Sequence, residues 1–137
     1  MLQQIYPNTT HPYQFELNKD FSAAHHIPCE EAGICQNVHG HTYFVNLTIV
    51  GDKLDDTGFL VNFSHLKKMI HGKFDHQLLN NLPAFKNKIP STEIVAETIY
   101  QIVKENLASL EHQPKCVQVF VRETPTSYVV FRPKEQV

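Results

Sequence analysis

The sequence has no tryptophan, only three cysteines in 137 residues, and no apolar run near the ~20 residues that a membrane-spanning helix needs. Cys29, Cys35 and Cys116 are too few, and odd in number, for a disulfide framework, so the chain reads as cytoplasmic. A basic excess is also missing. Twelve Lys and Arg against 14 Asp and Glu leave a formal charge of -2, which excludes the basic stripe of a general nucleic-acid binder. No basic segment followed by an apolar stretch opens the chain, so no secretory leader is expected. Repeats, low-complexity tracts and long linkers are absent. What is present is a globular composition, 42% hydrophobic and 19% charged. The length suits one domain with a core of its own. Residues 1–12, with two prolines, read as a loose arm, and residues 13–137 as a single domain.

Periodicity places the elements. Phe15, Leu17, Phe21 and Ala23 alternate on one face, interrupted by Lys19, and the same parity carries His25. Residues 28–38, containing Pro28 and Gly33, read as a loop. "HTYFVNLTIV", residues 41–50, is a strong strand with His41, Tyr43, Val45, Leu47 and Ile49 on one face. Asn62 or Ser64 caps a first helix whose apolar stripe is Phe63, Leu66, Met69, Ile70 and Phe74. Ser91 or Thr92 opens a second helix, with Glu93 in its first turn. "CVQVFVRE" sets Val117, Val119 and Val121 on one strand face and brings Glu123 onto it; "SYVVFRP" is a last strand. The order strand, strand, helix, helix, strand, strand predicts an α+β fold, an antiparallel four-stranded sheet with two helices on one face.

"CQNVHGHTY", residues 35–43, carries the chemistry. Residues two apart on a strand point the same way, so His39 and His41 can present two imidazoles to one point. Gly40 keeps the space between them open. If the first two strands form a hairpin across residues 26–38, His25 lies beside them and completes a set of three. Three neutral imidazoles suit zinc and leave a fourth position open. His26 has the opposite parity, which turns it to the other face, toward solvent or substrate. Cys35 admits three readings: a fourth ligand in a structural zinc site, a small buried hydrophobe like Cys29 and Cys116, or a nucleophile or base beside the metal. "FDHQLLN" sets Asp75 beside His76 just past the first helix, a common solvated cap; Glu123 is a carboxylate closing an apolar strand face, where a buried charge needs a partner.

Six segments taken in order resemble the pyruvoyl-tetrahydropterin synthase superfamily and its tunnelling fold. They are "FSAAHH" (21–26), "CQNVHGHTY" (35–43), "GFLVNFSHLK" (58–67), "FDHQLLN" (74–80), "PSTEIVAETIY" (90–100) and "VRET" (121–124). The spacing C-x-x-x-H-G-H from Cys35 is similar to the branch that makes carboxy-tetrahydropterin for queuosine and related deazapurines. The resemblance implies a zinc-dependent lyase that converts dihydroneopterin triphosphate to carboxy-tetrahydropterin, acetaldehyde and triphosphate. It implies zinc ligands at His25, His39 and His41, a catalytic cysteine at Cys35 and a proton relay at His76 with Asp75. It puts the pterin-holding glutamate at Glu123, with Thr92 and Glu93 near the pterin, in a homohexamer built from two trimers. Asn62 stands where the family often has aspartate, and Phe21 is the lone aromatic just before the "AAH" run. Other readings are a pyruvoyl-type or epimerase-like pterin enzyme, and a non-catalytic zinc protein with Cys35 as fourth ligand.

Overall fold

Alternation along two long strands builds the sheet. In the computed structural model, which describes residues 6, 7 and 9–134, β1 spans Tyr13–His25 and β2 spans His39–Gly51. Residues 1–5 and 8 of the expected arm lie outside the described residues. Helices α1 (Phe63–Phe74) and α2 (Thr92–Leu107) follow, then β3 (Lys115–Thr124) and β4 (Ser127–Phe131). The sheet order is β1-β2-β3-β4, antiparallel throughout, as the pattern predicts.

The core forms where the apolar faces of sheet and helices meet. Leu17, Phe21, Tyr43, Val45, Leu47, Val119 and Val121 come from the sheet, Leu66, Ile70 and Phe74 from α1, and Val95, Ile99 and Val103 from α2. Helix α1 packs on β1, and α2 on β3 and β4. Asn62 caps α1 by accepting the His65 N–H at 3.0 Å, so asparagine serves there. Ser91 caps α2, accepting from the Ile94 N–H at 3.3 Å.

Three local expectations change. Residues 28–38 are not a plain loop: Glu30–Gln36 form a short 3-10 helical segment, kinked at Gly33 with φ 58. Val117 does not share the inner face of β3. Pairing passes from Thr48 with Gln118 to Ile49 with Cys116, so Val117 is the extra residue of a bulge and Cys116 takes the core place. Burial pushes the Cys116 thiol up to about 12. Cys29, expected to be buried, is half-exposed because it sits at the start of the 3-10 segment.

The β1–β2 register decides the rest. Phe21 pairs with Tyr43, Ala23 with His41, and His25 with His39. Beyond α1, residues 75–78 run alongside the outer edge of β1: the His76 N–H donates to the Ser22 carbonyl at 2.6 Å and the Ala24 N–H to the Gln77 carbonyl at 2.9 Å. One end of the sheet thereby gathers segments from β1, β2, β3, the α1 exit and the α2 entry.

Phe21 anchors this end. Its ring stacks on Tyr43 at 5.0 Å and lies 5.2 Å from Phe74. Phe21→Ala is expected to cost about 3–5 kcal/mol of unfolding free energy, since a buried aromatic leaves a cavity that neighbours fill only in part. Urea denaturation of the metal-free protein reads this directly; a loss under about 1 kcal/mol would mean that the surrounding rings repack around the gap.

Candidate metal centre

His39 and His41 stand two apart on β2, and His25 faces His39 across the antiparallel ladder. The ring centroids are 4.6 Å (His25–His39), 5.1 Å (His25–His41) and 4.9 Å (His39–His41) apart. One ligand atom from each lies within 4.8 Å of the others. Among the described residues no cysteine or carboxylate joins this group.

Backbone carbonyls orient two of the rings. The His25 Nδ1–H donates to the Pro90 carbonyl at 2.7 Å, and the His39 Nδ1–H to the Asn37 carbonyl at 2.8 Å. A carbonyl can only accept, so the proton sits on Nδ1 and the lone pair on Nε2 is free. His25 is 2% exposed, and its Nε2 is buried with no hydrogen-bond partner; the same holds for His41 Nε2. Orphaned buried nitrogens are costly unless something satisfies them, and a cation shared by the three rings does so. Burial lowers the His41 pKa below its usual value, Glu123 opposes that, and His25 and His39 reinforce it. The neutral imidazole that ligates a metal is therefore favoured. The residues present fit a metal ion.

Glu123 reaches the same point from β3. Its Oε1 lies 3.2 Å from His41 Nε2 and its Oε2 4.0 Å from His25 Nε2. The Thr92 hydroxyl, in the first turn of α2, donates to Oε2. Glu123 is itself the extra residue where β3–β4 pairing passes from Arg122 with Tyr128 to Thr124 with Ser127. Tyr43 lies beneath the cluster, fully buried, its hydroxyl 3.3 Å from His25 Nδ1; burial and, second, Glu123 raise its pKa.

The other expected residues are placed apart from this cluster. Cys35 is half-buried on the 3-10 segment, and its carbonyl accepts the Ile27 N–H at 2.8 Å, two residues past His25. Glu93 is exposed at the start of α2, while its neighbour Thr92 is drawn in. Asp75 and His76 pair with each other: Asp75 Oδ2 lies 3.4 Å from His76 Nε2 and 3.2 Å from His71 Nε2. His76 has φ 58 and borders a cleft of about 520 Å³ with Ser22, Gly40, His41, Thr42 and Gln77. His71 escaped the sequence reading although its i,i+4 spacing from Asp75 was available as a signal. The carbonyls of Pro90 and Asn37 carry no side-chain signature, and Tyr43 read only as a core residue.

Asp75 Oδ1 accepts the Ser22 N–H at 2.9 Å. That bond, above all, holds the Asp75 carboxyl below its usual range; burial opposes it, and His71, His76 and Lys19 assist. A carboxyl with a depressed folded pKa stabilises the fold above its unfolded pKa, and that contribution is lost as pH falls through the folded value. Asp75→Asn should therefore be less stable than wild type at and above about pH 5, and the margin should shrink as pH falls below about 4. Urea denaturation across this range checks it. A margin independent of pH throughout would assign the loss to shape and not to charge.

Comparison with known proteins agrees with this architecture. Residues 14–134 match the family described as 6-pyruvoyl tetrahydropterin synthase. A 6-carboxy-5,6,7,8-tetrahydropterin synthase of Bacillus subtilis (strain 168) is 62% identical over 141 residues, covering 98% of this chain and 97% of its own. A 6-pyruvoyl tetrahydrobiopterin synthase of Dictyostelium discoideum is 30% identical, covering 73% of this chain and 74% of its own. The structure of Caenorhabditis elegans 6-pyruvoyl tetrahydropterin synthase superposes with a TM-score of 0.74 at 25% identity, over 90% of this chain and 98% of that one. With the full domain matched and the histidine cluster formed, the chain belongs to the 6-pyruvoyl tetrahydropterin synthase family.

Proposed function

We propose that the chain is a zinc-dependent 6-carboxy-tetrahydropterin synthase, a carbon–carbon lyase acting on dihydroneopterin triphosphate. With one water consumed, its products would be carboxy-tetrahydropterin, acetaldehyde and triphosphate, and it would serve queuosine and related deazapurine biosynthesis in the cytoplasm. One observation carries the reading: three imidazoles converge, two with buried, unpartnered Nε2 atoms, in a chain 62% identical to a relative of that name. The pyruvoyl names of more distant relatives make the pyruvoyl product the second reading.

Zinc held by His25, His39 and His41 would supply Lewis acidity toward the hydroxyls of the substrate side chain. Cys35, whose carbonyl accepts the Ile27 N–H two residues past His25, would take the proton from the adjacent carbon. His76, oriented by the Asp75 carboxylate, would move protons between carbon and oxygen. Glu123 would accept two N–H donors from the amino-pyrimidine edge of the pterin, a charge-assisted pairing, with Thr92 holding the carboxylate in place and Glu93 near the same edge.

The sheet edge supports assembly: β4 ends the sheet on one side, where another chain could pair, while residues 75–78 already line β1 from Ser22 to Ala24 on the other. A homohexamer, two trimers stacked, would do this and would bring His76, exposed in the single chain, beside residues of a neighbour.

The purified protein with zinc and dihydroneopterin triphosphate should release acetaldehyde and form carboxy-tetrahydropterin. A pyruvoyl product without acetaldehyde would overturn this reading in favour of the second. Metal analysis of His39→Ala should find zinc largely lost. Cys35→Ala should keep its zinc but turn over about 100- to 10,000-fold more slowly, as befits a removed proton acceptor; loss of zinc would instead place Cys35 in the coordination shell.

A further inference from the structure

We infer that Glu123 is a fourth, displaceable ligand of the metal: it caps the three-histidine centre in the resting protein and leaves it when the pterin claims its carboxylate. The inference rests on the three-histidine reading and adds to it a resident for the open position.

The distances suit coordination better than hydrogen bonding. Two ligand atoms each ~2.1 Å from a tetrahedral ion stand ~3.4 Å apart. The Glu123 oxygen left free by Thr92, Oε1, lies 3.2 Å from the His41 Nε2, close to that edge length, while Oε2 stands 4.0 Å from the His25 Nε2. Yet His41 Nε2 has no hydrogen-bond partner, so the 3.2 Å contact lacks the alignment of a hydrogen bond. A carboxylate beside two lone pairs that point elsewhere is the arrangement left when ligands aim at a common centre. Glu123 stands on the His25–His41 side, outside the group whose atoms all lie within 4.8 Å, so it would have to move inward to reach the ion. It is the one carboxylate that ion-pairs with any of the three histidines among the described residues. Cys35, the other candidate for the fourth position, is not part of the cluster.

The same carboxylate is built to let go. Only one oxygen is needed by the ion, and the Thr92 hydroxyl tethers the other. The bulge at Glu123 frees it from the β3–β4 ladder, so its side chain can turn without breaking strand pairing. An anionic ligand reduces the net charge of three neutral imidazoles and a dication from two to one. The capped centre is then a weaker Lewis acid and a poorer site for stray anions. A pterin edge that binds both carboxylate oxygens removes the cap and uncovers the fourth position as substrate arrives.

Metal binding tests this without turnover. Zinc affinity of wild type, Glu123→Gln and His39→Ala is measured by competition with a chromophoric chelator, and the cobalt(II)-loaded proteins are compared by visible absorption. Glu123→Gln should bind zinc about ten-fold more weakly and show shifted d–d bands, while His39→Ala should lose nearly all binding. Glu123→Asp, one methylene shorter, should behave like the glutamine variant and guards against a folding defect peculiar to one substitution. Unchanged affinity and unchanged cobalt bands in both Glu123 variants, with His39→Ala impaired, would overturn the cap and leave the three-histidine centre standing. Tighter zinc binding in Glu123→Gln would overturn it too, marking Glu123 as a competitor for the imidazoles. Full binding by His39→Ala would overturn the three-histidine reading itself, and the cap with it.

Discussion

The pairing of His25 with His39 at the end of the β1–β2 ladder is the constraint on which the site depends. Antiparallel pairing puts opposed side chains on the same face, and the two-residue period of a strand adds His41 to them. Register makes this arrangement strict. A slip by one residue would turn His25 and the whole apolar row of Leu17, Phe21 and Ala23 to the other face. The hydrophobic core that fixes the register therefore also fixes the geometry of the three imidazoles. Phe21, packed between Tyr43 and Phe74, links the two most directly.

Around this ladder the other segments act as orienters. The entry to α2 contributes twice: the Pro90 carbonyl holds His25 and the Thr92 hydroxyl holds Glu123. The N-terminus of that helix thus sets both a ring of the cluster and the carboxylate nearest it. The exit from α1 does similar work on the outer side. Asp75 ends the helix, takes the Ser22 N–H, and faces two imidazoles, His71 and His76. Both carboxylates are thereby tied to backbone or hydroxyl donors, which keeps each near its histidine.

Much of this was legible in the residues. The alternation of Leu17, Phe21 and Ala23 with His25, and of His41 with Tyr43, Val45 and Leu47, predicted both faces and the three-histidine set, because strand parity is a local property. The caps at Asn62 and Ser91 were local too. What failed locally was β3. A bulge depends on the partner strand, so "CVQVFVRE" read as a regular alternation while Val117 is turned out and Cys116 turned in. The 3-10 segment at Glu30–Gln36 was likewise hidden behind loop-like composition.

The sequence by itself determined the fold class, the strand faces and the His39–His41 pair, since each follows from spacing along the chain; His25 joined them only through the expected hairpin. Only the tertiary structure decided which other groups meet them. Pro90, Thr92 and Glu123 lie 65, 67 and 98 residues beyond His25 in the chain and reach it through packing of α2 and β3 on the sheet. Spacing carries no information about such contacts. They arise because a buried ring nitrogen and a half-buried carboxylate must find partners wherever the fold brings them, and the backbone carbonyl that serves His25 would be present whatever side chain followed it.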